Sequence, residues 1–234
     1  MTAKPGRREI VREATLQEIK RVAQKMMEEQ GAGALSLRAI AAEMGMSAPA
    51  LYNYYESRDD LLTTLIVDAY SSLGDTMRAA CFAGPAEEYA RRFIAGMVAY
   101  RDWALQNTVM FELIYGTPIP GYKAPQEITT PVAARALEPL VLVLAEAWRA
   151  GKVRVPEIYQ DLPPTLKQYM QQWGEQLGGN ISLPLLAYTI IGWGQIQGLV
   201  SLEIYRHTKD VVGDPGELYN LQIKAYLSLL GLKI

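Results

Sequence analysis

Apolar residues recur at intervals of three and four along most of the chain, and this spacing restricts the fold more than any other feature. Ile19, Val22, Ala23 and Met26 form one such stripe. No run of alternating β-branched residues lies between turn-forming pairs, so strands are not expected. Apolar residues make up 50% of the 234 residues, which is enough to bury a sizeable core. The sequence therefore predicts an all-α protein.

Three helices, one long and two short, are predicted in the first quarter of the chain. A long helix from about Ile10 to Gln30 comes first. A second, short helix starts after Ser36 and ends at Gly45, and a third starts at Ser47; serine is a preferred N-cap in both places. Because only three residues join the short helices and a glycine lies in the turn, this layout is typical of a helix-turn-helix.

The third helix has an unusual composition for a helix that packs in a core. The segment Ala48–Tyr55 is small at its start, polar and aromatic afterwards, and uncharged. Small residues let a helix end approach base edges, a methyl or ring carbon can contact a thymine methyl, and tyrosine hydroxyls suit phosphate oxygens. An ordinary helical hairpin has the same kind of turn, but its core helix is normally more aliphatic. The composition favours DNA recognition.

Further helices follow the third. The segment Ser57-Arg58-Asp59-Asp60 has the pattern of a capping box and predicts a fourth helix to about Ala80. Glycine and proline then predict breaks between longer helices. These breaks lie at Gly84-Pro85, Gly116 to Pro125, Gly151 to Pro156, Leu162 to Pro164, Gly178-Gly179 and Gly213 to Gly216.

The formal net charge of −2 excludes a highly basic, histone-like protein, so any DNA-binding charge must be local. Residues 1–25 contain seven basic residues, Lys4 among them, and three acidic ones, a net charge of +4. The remainder carries −6, because the whole chain carries −2. A basic helix face is also common on ordinary solvated surfaces, but this asymmetry fits a DNA-facing end and a solvated body.

Other classes of protein are not supported by the residue content. One cysteine, Cys81, and one histidine, His207, cannot form an intrachain disulfide or a Cys/His zinc cluster. Cys81 is expected to pack between helices and His207 to lie on the surface. No catalytic constellation is evident, so we expect no enzyme activity, no cofactor and no metal.

A membrane protein is not expected either. No apolar run follows the basic amino terminus, so a secretory signal is not expected and a cytoplasmic location is predicted. The charge-free stretch between Glu175 and Glu203 has the length of a membrane span. Asn180, Gln195 and Gln197 interrupt it and no basic cluster flanks it, so a buried helix of a bundle is favoured.

The segment Leu37–Leu62 resembles the DNA-binding domain of the TetR family of bacterial transcription regulators. The resemblance includes the turn glycine, the serine cap and the Leu51-Tyr52 pair. Tyr55 stands where the family most often has phenylalanine, and Arg58 where it most often has lysine. The resemblance implies a helix-turn-helix DNA-binding domain in residues 1–56, a connecting helix in 57–80, and a helical ligand-binding and dimerisation domain in 81–234.

A second segment, Trp193–Glu203, is similar to a Trp-x-x-x-His-Gly motif in one class of TetR C-terminal domains. Gln197 replaces the histidine of that motif. The glycines here have the wrong spacing for a dinucleotide-binding loop, and no strand precedes them.

The resemblance implies a ligand-responsive repressor that binds a near-palindromic operator as a homodimer. The last two helices, about Leu183 to Tyr205 and Pro215 to Leu232, are expected to form the dimer. A small, largely apolar effector is expected to shift the fourth helix and release the DNA. The alternative is a helical ligand-binding or scaffolding protein without specific DNA binding.

Candidate residues follow from these expectations. The DNA contacts are expected from Ser36, Arg38, Ser47, Tyr52, Tyr54 and Arg58 at phosphate or sugar, and from Ala48, Pro49 and Asn53 near the bases. Aromatic, methionine and glutamine side chains of the second part are core residues in the simpler interpretation. The resemblance makes them candidates for an effector pocket: Trp103, Met110, Phe111, Tyr115, Trp173, Tyr188, Trp193 and Gln197.

Overall fold

A computed structural model describes residues 6–177 and 180–233. Every secondary-structure element assigned within these residues is a helix. The all-α prediction is confirmed. Lys4 and the break predicted at Gly178-Gly179 lie outside the described residues. The α-helices are α1 Arg7–Gln30, α2 Leu37–Glu43, α3 Ala48–Tyr52, α4 Arg58–Cys81, α5 Tyr89–Gln106, α6 Thr108–Tyr115, α7 Gln126–Arg149, α8 Pro164–Gln176, α9 Leu183–Ile204, α10 Lys209–Val212 and α11 Pro215–Leu229. Short 3₁₀ turns cover Ala32–Ala34 and Glu157–Tyr159.

The chain forms two compact units. The N-terminal unit contains the described residues up to Tyr70 together with Asn107–Val132. The C-terminal unit contains Ser71–Gln106 and the described residues from Ala133 onward. Helices α4 and α7 each contribute residues to both units.

The grouping of Asn107–Val132 with the N-terminal helices was not expected from the sequence. Within this unit, the Tyr70 hydroxyl donates to the Ile114 carbonyl at 3.3 Å, and the hydroxyls of Thr63 and Tyr122 lie 2.9 Å apart. These bonds join α4 to α6 and to the loop that follows α6. The joined segments are more than 40 residues apart in sequence, so no local pattern predicted the contact.

Most predicted helix ends are where glycine or proline placed them, but one end has a different cause. Helix α9 ends with Arg206 in the left-handed region at φ 59°, where glycine is usual. The Arg206 and His207 amides donate to the Glu203 and Leu202 carbonyls at 3.0 and 2.8 Å. Because an arginine occupies this position, no glycine marks this end of α9, which was predicted at about Tyr205, and the short α10 that follows was not predicted.

Two helices have the length and hydropathy of a membrane span, Gln126–Arg149 and Leu183–Ile204. Half of the first apolar window and 44% of the second are buried inside the protein. In α9, Leu186, Tyr188 and Val200 are among the buried side chains. This burial fits the core helices of a soluble protein, as the sequence predicted for the stretch before Glu203.

Candidate nucleic-acid interface and effector unit

The turn between α2 and α3 is closed by a glycine in a left-handed conformation. Gly45 has φ +64°, and its amide donates to the Ala42 carbonyl at 3.1 Å. The Met46 amide donates to the Ala41 carbonyl at 2.8 Å. These two bonds satisfy carbonyls at the end of α2 and turn the chain sharply into α3.

Helix α3 is fixed by a cap and by apolar packing. The Ser47 hydroxyl accepts from the Ala50 amide at 3.4 Å, as expected for an N-cap, and Pro49 lies in the first turn. Ile40 and Leu51 are fully buried within the N-terminal unit. Met44, which was expected beside them, is only half-buried. The short helix therefore has a defined orientation while most of its surface is open.

The predicted DNA-contacting residues lie on α2, on α3 and in the segments that flank α3. Tyr52 is 46% exposed, and Arg38, Pro49 and Asn53 are also exposed. Ala48 and Tyr54 are half-buried, as is Ser36, which precedes α2 and makes no side-chain cap bond there. The exposed surface thus combines the guanidinium of Arg38, the ring of Pro49, the hydroxyl of Tyr52 and the amide of Asn53.

Arg58 has a position that differs from the expectation of a phosphate contact. Its Nε donates to the Leu35 carbonyl at 3.0 Å, and its Nη2 donates to the carbonyls of Ala32 and Gly33 at 3.3 and 3.2 Å. The Nη1 lies 3.8 Å from the Asp59 carboxylate. Because these bonds use the guanidinium, Arg58 ties the start of α4 to the turn before α2.

The capping box at the start of α4 is confirmed with a small shift. The Ser57 hydroxyl accepts from the Asp60 amide at 3.0 Å. The Asp60 carboxylate accepts in return from the Glu56 amide at 3.1 Å, one residue before the expected position.

The basic residues of α1 differ in their partners. Toward the C-terminal half, Lys20 pairs with Asp68 at 2.9 Å, Lys25 with Glu43 at 3.1 Å, and Arg21 with Glu18 at 2.6 Å. Ion pairs of this kind reduce the local positive potential. The positive charge that is free to meet DNA is therefore smaller than the residue count over 1–25 suggests.

The eight predicted effector residues are divided between the two units. Met110, Phe111 and Tyr115 lie on α6 in the N-terminal unit. The other five lie in the C-terminal unit: Trp103, Trp173, Tyr188, Trp193 and Gln197. The set therefore does not form one cluster within either unit.

Tyr188 belongs to an aromatic cluster of the C-terminal unit. Its ring stacks on Tyr226 with centroids 4.6 Å apart and meets Tyr159 edge-on at 5.1 Å. Its hydroxyl donates to the Tyr226 carbonyl at 3.0 Å. Burial raises the pKa of Tyr188 to about 12, so its hydroxyl stays protonated at neutral pH. These contacts are those of a core residue.

Two other predicted effector residues have different surroundings. The Trp103 indole donates to the Ser72 hydroxyl at 3.0 Å and is buried. The Gln197 amide nitrogen donates to the Ser201 hydroxyl at 3.4 Å. Its amide oxygen is shielded from solvent and accepts no hydrogen bond from the described residues. A buried acceptor without a donor costs free energy, so Gln197 can accept a bond from a ligand.

Sequence reasoning missed a salt bridge that connects three helices of the C-terminal unit. Arg101 of α5 forms two bonds to the Glu203 carboxylate of α9, at 2.7 and 2.5 Å. Its guanidinium lies over the Tyr219 ring of α11 at 5.7 Å. The two charged residues are 102 positions apart, and no sequence signal links them.

A surface cleft of about 780 Å³ lies elsewhere in the C-terminal unit, beside the start of α5 and the carboxyl end of the chain. Glu88, Arg91, Lys152 and Leu232 contribute to its lining, and none of the predicted effector residues does. Among the residues that the structure describes, no group of three or more His, Cys, Asp or Glu side chains is placed to hold a metal ion.

Comparison with known proteins identifies the class to which this helix-turn-helix belongs. The family profile described as "Bacterial regulatory proteins, tetR family" matches residues 19–65. The profile described as "Tetracyclin repressor-like, C-terminal domain" matches residues 93–226. The chain belongs to the TetR family of bacterial transcriptional regulators, a class of DNA-binding proteins and not of enzymes.

Particular relatives support the same assignment over nearly the whole chain. The HTH-type transcriptional regulators Rv1816 of Mycobacterium tuberculosis and Mb1846 of Mycobacterium bovis are each 33% identical to it, with 98% of this chain and 97% of theirs covered. The crystal structure of regulatory protein SCO4313 has a TM-score of 0.76 at 33% identity, over 96% of this chain and all of that one. A tetR-family regulatory protein from Rhodococcus RHA1 has a TM-score of 0.65 at 17% identity, over 94% and 98% of the two chains, and shares the fold.

Proposed function

We propose that this TetR-family regulator is a ligand-responsive repressor that binds a near-palindromic operator as a homodimer in the cytoplasm. The observation that carries the proposal is the capped α3, held by Leu51 while Pro49, Tyr52 and Asn53 stay exposed. A two-fold dimer would present two such helices to half-sites about 34–36 Å apart, in successive major grooves.

In this proposal α3 enters the major groove. Ala48, Pro49 and Asn53 lie nearest the bases, while Ser36, Arg38, Ser47, Tyr52 and Tyr54 contact phosphate or sugar. The exposed hydroxyls of Ser47 and Tyr52 support the second role, because each can donate to a phosphate oxygen without losing a protein acceptor. Arg58 is proposed as a positioning residue, since its donors already bind backbone carbonyls.

Three neighbouring tyrosines provide a matched test of the DNA contacts. Tyr52→Phe and Tyr54→Phe each remove a hydroxyl proposed to bond a phosphate, and about tenfold weaker operator binding is expected. Tyr55→Phe is the control, because the Tyr55 side chain is buried. Operator affinity is measured by fluorescence anisotropy. Equal effects in all three variants, or none, would refute the assignment.

Homodimerisation is proposed through α9 and α11. On α9, Ile191 and Leu202 are exposed apolar residues on one helical face, and Gly194 and Gly198 lie between them on that face. On α11, Leu221 and Leu229 are exposed and eight residues apart, so they also share a face. Exposed apolar stripes on long helices favour packing against a second copy.

Gly194 and Gly198, exposed and half-buried on α9, offer a test in which the single chain can still fold. A Cβ at Gly194 or Gly198 meets no atom within 4 Å, so a side chain fits in the isolated chain. Gly198→Glu is expected to convert the dimer to monomer in sedimentation equilibrium, because it places a charge in the proposed interface. Gly84→Glu, at a loop glycine with equally open surroundings, is the control. A dimer that survives Gly198→Glu would contradict the proposed interface.

The effector is proposed to be small, neutral or weakly polar, and partly aromatic or lipid-like, bound among helices of the C-terminal unit. Half-buried Trp173 and Trp193 and the unsatisfied acceptor of Gln197 support this site. A coupling free energy of about 1–3 kcal/mol between effector and DNA changes operator affinity about 5- to 150-fold, which is sufficient for induction.

Two glutamines of the C-terminal unit test the effector site. A panel of aromatic and acyl compounds is screened for release of operator DNA, and Gln197→Ala is expected to weaken the response to the compound found. Gln106→Ala is the control, since Gln106 is exposed at the end of α5 and lies outside the proposed dimer helices. A response that Gln197→Ala leaves unchanged would place the pocket elsewhere. The rival function, a helical ligand-binding protein without specific DNA binding, predicts compound binding without any operator.

A further inference from the structure

The amino-terminal end of α1 forms a small basic cleft with Tyr54, which lies two residues beyond the end of α3. The cleft has a volume of about 310 Å³ and is lined by Arg7, Arg8, Val11, Arg12 and Tyr54. All five belong to the N-terminal unit. We define these residues as the α1 cleft.

The arginines of the α1 cleft have no acidic partner among the residues that the structure describes. Within residues 6–177 and 180–233, none of the three forms an ion pair, in contrast to Lys20, Arg21 and Lys25 on the same helix. Glu13, the nearest acidic neighbour of Arg12 in the sequence, accepts instead from Gln17 at 2.7 Å. The positive charge of this end of α1 therefore remains available to an anion.

The placement of these arginines does not stabilise α1. The first turn of a helix carries a partial positive charge, so a cation there is unfavourable by roughly 0.3–1 kcal/mol at low ionic strength. Arg7 and Arg8 lie in the first turn, where Glu9 is the acidic residue. Amide and guanidinium groups together give a strong local positive potential, which favours a phosphodiester.

Arg12 connects the α1 cleft to the end of α3. Its Nη1 donates to the Asn53 carbonyl at 3.4 Å, just after α3. Its guanidinium also lies over the Tyr54 ring at 5.0 Å. These contacts link residues 41 positions apart and hold the Tyr54 ring in the wall of the α1 cleft. An anion in the cleft would therefore lie directly beside the surface that carries Tyr52 and Asn53.

We infer that the α1 cleft binds the phosphodiester backbone of the operator duplex, with Arg7 and Arg8 as phosphate ligands and Arg12 as a positioning residue for Tyr54. This inference rests on the proposed function and extends its DNA-contacting surface from α2 and α3 to α1. Backbone contacts of this kind supply affinity that depends on salt and not on base sequence.

The test compares the dimeric protein with an Arg7→Gln/Arg8→Gln variant. Affinity is measured between about 0.05 and 0.3 M salt for a duplex selected from a random library and for a scrambled duplex of equal composition. Each lost phosphate contact reduces the slope of log K against log salt by about 0.9. We expect a slope smaller by about 1.8 and an affinity about 30-fold weaker for each cleft at about 0.15 M salt, so the dimer, with both clefts changed, loses about 3.6 in slope and about 900-fold in affinity for both duplexes.

Two further variants make the result specific. Arg21→Gln removes an exposed, Glu18-paired arginine from the same helix and is expected to change the slope by less than about 0.3. Arg12→Lys keeps the charge and loses the planar contact with Tyr54, so the slope is preserved while discrimination between the two duplexes falls. Circular dichroism melting confirms that each variant is folded, since Arg7 and Arg8 are exposed.

The outcomes separate this inference from the proposed function. Specific binding by the unchanged protein with equal slopes for the double variant overturns the inference alone. Binding to anionic lipid vesicles is measured as well. If the double variant loses vesicle binding while its DNA slope is unchanged, the inference is also overturned, in favour of a membrane surface. If the unchanged protein binds neither duplex, both the proposed function and the inference fall.

Discussion

The helix-turn-helix of the N-terminal unit and the helices of the C-terminal unit differ in the bonds that define them, although the N-terminal unit also contains distant bonds, such as Tyr70 to Ile114. In the N-terminal unit, the segment from α2 to the start of α4 is called the reading head. The bonds that define it are local, such as Ser47 to Ala50 and Ser57 to Asp60. In the C-terminal unit, important bonds join distant segments, such as Arg101 to Glu203 and Tyr219 to Met97. Local caps fix the turn without help from distant segments, whereas the distant pairs of the C-terminal unit depend on the packing of several helices.

The largest effect is expected from breaking a distant pair in the C-terminal unit. Arg101→Ala leaves the Glu203 carboxylate, 14% exposed, without its partner. The free energy of unfolding is expected to fall by roughly 3 kcal/mol in urea denaturation. Arg91→Ala, which breaks an exposed pair with Glu88, is expected to cost at most about 0.5 kcal/mol. Similar losses in both variants would contradict the account of the Arg101 pair.

The next effect tests close packing between α9 and α11. A Cβ at Gly192 would lie 2.1 Å from the Tyr226 ring, which is fully packed among aromatic neighbours. Gly192→Ala is expected to lower the free energy of unfolding by roughly 2 kcal/mol. Gly174→Ala, where the nearest atom is the end of the Leu186 side chain at 3.2 Å, is expected to cost less. Thermal melting of both variants measures the difference, and the reverse order would be inconsistent with this packing.

A smaller effect is expected in the reading head. Gly45→Ala forces a Cβ into the left-handed region at φ +64°, at a cost of about 1 kcal/mol. Operator affinity is expected to fall as well, because the turn sets the orientation of α3. Gly33→Ala serves as the control, since its Cβ meets no atom and its φ is not positive. Equal stability of the two variants in urea would show that the Gly45 conformation is not required.

The smallest effect concerns a side chain that the sequence predicted to pack between helices. Cys81 is fully buried, and burial raises the pKa of its thiol to about 12. Because the thiolate is the reactive form, reaction with a disulfide reagent at about pH 8 is expected to be slow in the native protein and fast in denaturant. Rapid reaction under native conditions would mean that α4 opens near its end.

The sequence was sufficient to predict the reading head because its signals are short-range. Glycine, serine and acidic residues at fixed spacing predicted the turn at Gly45, the cap at Ser47 and the start of α4 at Arg58. The same reasoning does not predict which acceptors a guanidinium group bonds to. Arg58 was expected on phosphate, and it bonds to carbonyls 23–26 residues earlier in the chain.

The C-terminal unit was predictable only as helices. Its helix breaks followed glycine and proline, but the end of α9 at Arg206 had no glycine to mark it. The aromatic residues proposed as an effector pocket were chosen by composition, which does not indicate that Tyr188 would stack on Tyr226 or that Trp103 would bond to Ser72. Contacts over such separations depend on packing that a local pattern does not contain.

The central claim is that the exposed α3 reads a specific DNA sequence. The most direct measurement is selection of duplexes by the purified protein from a random DNA library at stated salt, followed by sequencing. Enrichment of a near-palindrome is expected, with half-site centres about 10 base pairs, or a multiple of one helical turn, apart. Binding that is only salt-sensitive and independent of sequence, with and without candidate effectors, would contradict it.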